Sequence, residues 1–178
     1  FREKKFLETA FTHRSYLNEH REMKIEHNER LEFLGDAVLE LVITEYLYAK
    51  YPKHAEGDLT SFRAALVNAN TIADVATKIG MNEYLLLSKG EAKDTGKARQ
   101  YILANTYEAY LGALYLDQGY ASAKQFVAMV KQKYKFACPD HDFSQSWDAA
   151  QIAKMALDAL AVLLQDAPFR RRRKALDS

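Results

Sequence analysis

The stretch ERLEFLGDAVLE, residues 29–40, is the most informative part of the sequence for both fold and function. It opens a long helical pattern in which Glu29, Glu32, Asp36 and Glu40 fall within an arc of roughly 80° at about 100° per residue. An acidic stripe is usually the solvated face of an amphipathic helix. Here apolar residues lie beside the stripe and also cover the opposite side, which is typical of a buried helix. We therefore expect the stripe to face a crevice, an interface or the core.

Carboxylates in such a place need a positive charge nearby. They repel one another and lose hydration, so they stay ionised only beside a cation. Arg30 points away from the stripe, and no other Lys or Arg occurs between Asp36 and Lys50. A metal ion is the natural neutraliser, and oxygen ligands of this kind suit Mg²⁺ or Mn²⁺.

A second apolar helix, ILANTYEAYLGALYL at residues 102–116, contains a single acid, Glu108, with Asn105 one turn before it. A lone Glu there is either a buried acid hydrogen-bonded to a tyrosine or half of a site. If the two helices converge, Glu32, Asp36, Glu108 and the side-chain oxygen of Asn105 form a divalent-metal cage. Such a cage suggests metal-assisted hydrolysis of a phosphodiester, although the spacing alone does not select that chemistry.

The rest of the chain predicts an all-α protein. With 178 residues, 48% hydrophobic and 28% charged, it fits one globular domain and a short appendage. Helical periodicity covers 3–12, 29–50, 59–79, 98–117 and 121–135, and a further Ala/Leu-rich helix covers 147–165. We expect Asn28 and Asp58 to be N-caps, and Gly80 and Gly119 to end helices.

Composition also narrows the class of protein. The single Cys138 excludes an internal disulfide, and no apolar run approaches the roughly 20 residues of a membrane span. The net charge of +1, from 25 basic and 24 acidic residues, would ordinarily argue against a nucleic-acid binder. That sum combines acids of the proposed metal site with basic residues elsewhere, including the run at 170–174, so it excludes little.

The residues around the stripe resemble a known signature. HNERLEFLGDAVL, residues 27–39, is similar to the signature of the ribonuclease III family in its bacterial form. Supporting blocks follow in the family's order: FTHRSY at 11–16, EGDL at 56–59, RAALV at 63–67, and the stretch from 102 to Asp117. We therefore divide the chain into an endonuclease domain, residues 1–136, and a helical appendage with a basic end, residues 137–178.

The resemblance implies the dimeric, all-α fold of the ribonuclease III endonuclease domain. It implies a cytoplasmic RNA-processing hydrolase, a homodimer that cuts double-stranded RNA with Mg²⁺, or Mn²⁺ as a substitute, leaving 5′-phosphates and short 3′ overhangs. The roles it implies by position are metal ligation by Glu32, Asp36, Asn105 and Glu108, with Asp36 and Glu108 as catalytic acids. Glu29 and Glu56 become supporting acids, and Phe33 an aromatic that packs across the dimer interface.

Two departures from the family pattern leave alternatives open. The family usually has Asp at the position of Asn105, and an amide removes one negative charge and adds NH₂ donors. The alternative function is a catalytically impaired member that binds or scaffolds structured RNA. Residues 137–178 are also too few for the double-stranded-RNA-binding domain that bacterial members usually carry, and they contain none of its motifs.

Weaker signals concern possible RNA contacts. The cations Lys89, Lys93, Lys97 and Arg99 bracket a polar loop, which is either a backbone-gripping surface or simply solvated. His13 and Arg14 either approach substrate or serve in packing and capping. Tyrosines at helical spacing favour the core or an interface over RNA stacking; they are Tyr46, Tyr48, Tyr101, Tyr107, Tyr110 and Tyr115.

Overall fold

The computed structural model describes residues 1–134, and helices make up most of this range. The helices are α1 (Lys4–Ala10), α2 (Arg14–Glu19), α3 (Glu29–Lys50), α4 (Glu56–Leu66), α5 (Ala69–Lys78), α6 (Lys89–Lys93), α7 (Lys97–Gln118) and α8 (Tyr120–Tyr134), with a 3₁₀ turn at Met81–Tyr84. Within residues 1–134 there is no strand, only an isolated bridge between Thr12 and Leu86. The predicted all-α class is confirmed.

Helix α7 forms the centre of the core. Its residues from Ile102 to Leu114 are nearly all buried, and α1, α3, α5 and α8 pack around it. The ring of Tyr110 lies 4.9 Å from that of Phe126 and 6.3 Å from that of Phe11, both measured between centroids. A helix that is apolar on all sides must be surrounded by others, as the sequence predicted for this segment.

Helices α3 and α7 cross at two glycines. A Cβ atom on Gly35 would overlap the carbonyl oxygen of Glu108, and one on Gly112 would overlap the carbonyl oxygen of Leu31. Only glycine permits two helix backbones to approach this closely. The crossing therefore brings the turn that carries the acidic stripe against the turn that carries Glu108.

Asn28 is the N-cap residue of α3, as the sequence predicted. Its side chain makes no cap hydrogen bond; instead, Nδ2 donates to the carbonyl oxygen of Ala10 at 3.3 Å. Its backbone N–H donates to the carbonyl oxygen of Thr12 at 3.0 Å. Asn28 is buried, and it fastens the start of α3 to the junction of α1 and α2.

The single helix predicted over 59–79 is wrong. The structure has α4 and α5, and the side chain of Asn68 caps α5 by accepting the N–H of Thr71 at 2.9 Å. Asp58 lies in the first turn of α4, whose N-cap is Ala55. The competing cap at Asn68 breaks a pattern that looks continuous in sequence.

The helix ends predicted at Gly80 and Gly119 are confirmed. Gly80 and Gly119 do follow helices, and both adopt the positive φ, 82° and 83°, that favours glycine. The predicted helix at 147–165, the basic run at 170–174 and the domain boundary at 136 lie outside the described residues. No helix within residues 1–134 has the length and apolar character to cross a membrane.

Helix α3 is not buried on all sides, contrary to our expectation. Its outward face exposes 82% of Phe33, 51% of Leu41 and 76% of Tyr48. The acidic stripe consequently lies along an open surface of this chain, with Asp36 exposed and Glu32 half-buried. The apolar flank that suggested burial in the core instead forms an uncovered surface, of which Phe33 is the most prominent part.

Candidate metal and active site

The structure brings the predicted ligands of α3 and α7 together. Asn105 makes a side-chain hydrogen bond with Glu32, which lowers the pKa of that carboxyl. The pKa of Glu32 is nevertheless raised overall, first by burial and then by the negative charges of Glu29 and Asp36. An interaction that sequence spacing could only suggest therefore exists between the two helices.

Glu108 shows the same coupling more strongly. Burial raises its pKa to about 7, and the charges of Asp36 and Glu32 add to the shift. In the absence of a counter-ion, this carboxyl is about half protonated at neutral pH. The alternative of a buried acid hydrogen-bonded to a tyrosine is not what the structure shows, because burial and two acids of α3 account for the raised pKa of Glu108.

This donor set fits a hard divalent cation. Three carboxylates and one amide oxygen supply the ligands that Mg²⁺ and Mn²⁺ prefer, and the mutual repulsion of the carboxylates would be relieved by positive charge. In the part of the chain that the structure describes, no three His, Cys, Asp or Glu side chains are already arranged as a metal-ligand group. The fit therefore rests on donor chemistry and electrostatic coupling.

Glu29 has two basic residues as partners that sequence spacing did not reveal. Its carboxylate lies 3.4 Å from Nη1 of Arg14 and 3.7 Å from Nδ1 of His27. Few basic residues occur at matching helical spacing along α3, and Arg14 escaped that comparison because it approaches from α2. The negative charge of Glu29 raises the pKa of Glu32, and the ion pair with Arg14 partly neutralises that charge.

Glu56 and Glu40 lie outside the coupled group. Glu56 is exposed at the start of α4, where Oε1 accepts a hydrogen bond from Oγ1 of Thr60 at 2.7 Å. Neither Glu56 nor Glu40 is among the charges that shift the pKa of Glu32 or Glu108. A supporting role for Glu56 stays a prediction, and the exposed Glu40 is a natural control.

Phe33 stands at the edge of a large cleft. The cleft has a volume of about 820 Å³, and Phe33 forms part of its wall. Its lining combines apolar and charged side chains, including Phe6, Leu34, Leu116, Lys5 and Arg30. An aromatic side chain that is 82% exposed beside a cleft is a feature of interaction surfaces.

A hydrogen-bond chain that sequence reasoning missed joins the segment at Ser88 to the start of α2. The N–H of Ser88 donates to Oγ of Ser15 at 3.0 Å, and that hydroxyl lies 2.8 Å from Nδ1 of His13. Nδ1 also accepts the N–H of Ser15, so His13 caps α2. The HRS triplet of residues 13–15 was the available signal, and its packing role is the one that the structure supports.

Of the cations in the 89–99 segment, one is engaged within the protein. Nη1 of Arg99 donates to Oδ1 of Asn82 at 2.9 Å, and Nη2 donates to the carbonyl oxygen of Glu91 at 2.6 Å. Lys89, Lys93 and Lys97 are exposed.

Comparison with known proteins finds relatives that are similar to most of this chain. The Ribonuclease-III-like family model matches residues 3–133. Ribonuclease 3 of Streptococcus pneumoniae strain CGSP14 and that of serotype 19F strain G54 are each 55% identical to the chain over 130 residues, which is 73% of this chain and 56% of each relative. The chain thus spans little more than half the length of these relatives.

Solved structures share the fold. The nuclease domain of ribonuclease III from Campylobacter jejuni superimposes with a TM-score of 0.69 and 41% identity, covering 80% of this chain and 90% of that one. A second structure of that domain, with a TM-score of 0.68 and 42% identity over 75% of this chain and 89% of that one, shows structural flexibility in a region involved in dimer formation. Dicer from Pichia stipitis matches at 0.51 with 26% identity, over 81% of this chain and 63% of that one.

Proposed function

Because the chain belongs to the ribonuclease III family, we propose that it is an endoribonuclease that hydrolyses phosphodiesters of double-stranded RNA with a divalent metal ion. The observation that carries the proposal is the electrostatic coupling of Glu32, Asp36 and Glu108 across the contact between α3 and α7. A scaffold protein has no need to hold acids so close that the pKa values of Glu32 and Glu108 are raised.

In this proposal Glu32, Asp36, Asn105 and Glu108 hold the ion. Bound Mg²⁺, or Mn²⁺, would supply polarisation of the scissile phosphate and a lowered pKa for the attacking water. The chain's own contribution is to fix the ligands: Asn105 hydrogen-bonds with Glu32 and favours its ionised form. Glu108 must lose its proton for ligation, so metal binding displaces a proton from a group whose pKa is about 7.

We propose a homodimer in which Phe33 of each subunit enters the partner's cleft. The exposure of Phe33 and the cleft of about 820 Å³ beside it support this arrangement. In a two-fold dimer the same patch serves both subunits, so a side chain and a cleft on one surface can be mutually complementary. Each subunit would then carry one metal site and cut one strand.

The exposed Lys89, Lys93 and Lys97 are the proposed phosphate contacts near the site. Such contacts make affinity depend on salt but not on base sequence. A-form RNA is mostly recognised by shape and by sugar and phosphate groups, which suits a duplex as substrate. A cytoplasmic location is part of the same proposal.

The test is cleavage of a long RNA duplex by the chain in Mg²⁺ and, separately, in Mn²⁺. We expect short products with 5′-phosphates and 3′ overhangs, and their loss in Glu108→Gln. Glu40→Gln is the matched control, since it removes an exposed carboxylate of the same stripe outside the coupled group. Absence of cleavage by the wild type and by Asn105→Asp in both metals, with duplex binding retained, would refute the enzymatic function.

A further inference from the structure

Tyr101 is an exposed residue of α7, one turn before the predicted ligand Asn105. It was predicted to lie in the core or an interface, and its exposure of 62% excludes the core of this subunit. Within residues 1–134, no hydrogen bond or ring contact engages its side chain. An exposed aromatic residue with an unengaged hydroxyl at the edge of a polar site suits contact with a ligand that has both polar and apolar parts.

The helical geometry places Tyr101 on the face of α7 that carries the metal ligands. At about 100° per residue, Lys97, Tyr101, Asn105, Glu108 and Gly112 fall within an arc of roughly 80°. At about 1.5 Å per residue, Tyr101 lies roughly 6 Å along the axis from Asn105 and roughly 10 Å from Glu108. A phenol on this face is therefore within about one or two nucleotides of a phosphate held at the ligand group.

Burial along this face gives the direction of approach. Gly112 is buried at the crossing with α3, Asn105 and Glu108 are half-buried, and Tyr101 and Lys97 are exposed. The site is thus closed at the glycine end and open at the tyrosine end. A strand that reaches the carboxylates along α7 passes the ammonium group of Lys97 and the phenol of Tyr101.

We propose that Tyr101 contacts the RNA strand next to the scissile bond through a hydrogen bond between its hydroxyl and a ribose 2′-hydroxyl. A phenol both donates and accepts hydrogen bonds, as a 2′-hydroxyl does, whereas Lys97 can only donate and matches a phosphate. The 2′-hydroxyl distinguishes RNA from DNA, so Tyr101 contributes to the choice of sugar. This inference rests on the proposed function and adds a specificity residue to the same site.

The test pairs Tyr101→Phe with substrates that lack single 2′-hydroxyls. The variant keeps the ring and removes the hydroxyl, and we expect kcat/KM on an all-RNA duplex to fall about threefold to tenfold, the value of one net hydrogen bond. Single 2′-deoxy substitutions are placed in turn at each nucleotide around the cleavage site. One of them should impair the wild type by a similar factor and leave Tyr101→Phe nearly unaffected, because both changes remove the same contact.

Tyr48→Phe is the matched control, because Tyr48 is an exposed tyrosine on α3, roughly 18 Å along the helix from Asp36. Unchanged kcat/KM in Tyr101→Phe would overturn the inference, as would multiplicative losses at every 2′-deoxy position. Measurement of subunit mass in solution identifies the rival outcome, in which Tyr101→Phe weakens the dimer and the phenol belongs to a subunit interface.

Duplex affinity separates this inference from the proposed function. Fluorescence anisotropy is measured in the Glu108→Gln background, with and without Tyr101→Phe, on the same series of duplexes. Non-additive losses of affinity at one 2′-hydroxyl would support the contact even if the wild type cleaves nothing. Equal affinity of both proteins for every duplex would overturn it even if the wild type cleaves efficiently.

Discussion

Replacing Asn105 by Asp tests the metal site at the position where this chain departs from the family. The substitution restores a fourth carboxylate and removes the NH₂ group, and with it the hydrogen bond that Asn105 makes with Glu32. On an empty site both changes raise the carboxyl pKa values, because the lost hydrogen bond had favoured ionised Glu32 and the added charge increases the repulsion felt by Glu108. In the presence of a divalent ion, the added charge becomes a ligand.

The magnitude follows from charge and distance. A unit charge about 4 Å from a divalent ion contributes about 2 kcal/mol in a water-like dielectric, and loss of one hydrogen bond offsets about 1 kcal/mol of it. The net gain of about 1 kcal/mol corresponds to Mg²⁺ binding that is about fivefold tighter. At about pH 8, above the pKa of about 7 of Glu108, competition from protons is small.

Two assays measure this effect. Isothermal titration calorimetry gives Mg²⁺ affinity without RNA, and single-turnover cleavage as a function of Mg²⁺ concentration gives the midpoint for activity. Both should shift to lower Mg²⁺ in Asn105→Asp. Asn70→Asp is the control for net charge, because it adds the same carboxylate on the exposed surface of α5. Equal or weaker Mg²⁺ binding in Asn105→Asp than in wild type would refute the assignment of Asn105 as a ligand.

Three other predictions follow from the geometry. In EDTA, the free energy of unfolding should fall by about 1–2 kcal/mol, after allowance for solvent screening, as pH rises from 4.5 to about 7, because folding raises the pKa of Glu108. Urea titrations should show that this pH dependence vanishes in Glu108→Gln, and its persistence would contradict the assignment. Phe33→Ala should weaken the dimer about a hundredfold or more, because two aromatic side chains lose burial worth about 1.5–3 kcal/mol each, whereas Tyr48→Ala should not weaken it. Sedimentation measures the dimer dissociation constants, and equal constants for Phe33→Ala and wild type would exclude Phe33 from the interface. Gly112→Ala should lower Tm by more than about 5 °C and abolish cleavage, because the added Cβ would overlap the backbone of α3. Gly57→Ala is the control, because open space surrounds that position, and its Tm should stay within a few degrees of wild type.

Sequence reasoning reached the elements that depend on local pattern. The limits of α3 and α7 follow from 3.6-residue periodicity. The proposed ligands follow from acids placed among apolar residues, and the structure brings two of them, Glu32 and Asn105, into contact. The break between α4 and α5 was missed because the apolar pattern continues across it, and only the side-chain cap at Asn68 marks it.

Features that depend on tertiary packing could not be predicted from the sequence. The pairing of Arg14 with Glu29 joins two helices at an angle that spacing along one helix does not reveal. Phe33 and Tyr101 lie in apolar helices, and whether such residues are buried depends on what packs against them. Periodicity identifies an apolar face, but it does not distinguish a face buried in the core from one left open to a partner or a substrate.

The contact between Gly35 and Gly112 makes the distance between the carboxylates of α3 and α7 a property of the main chain. In most helix pairs, the separation depends on the volume of the side chains between them, and substitutions in the core move the helices. Here backbone meets backbone at the site, so enlarging or shrinking neighbouring core residues has little means of changing the spacing of the ligands. The surrounding core is thus free to diverge in sequence without altering the spacing of the proposed ligands.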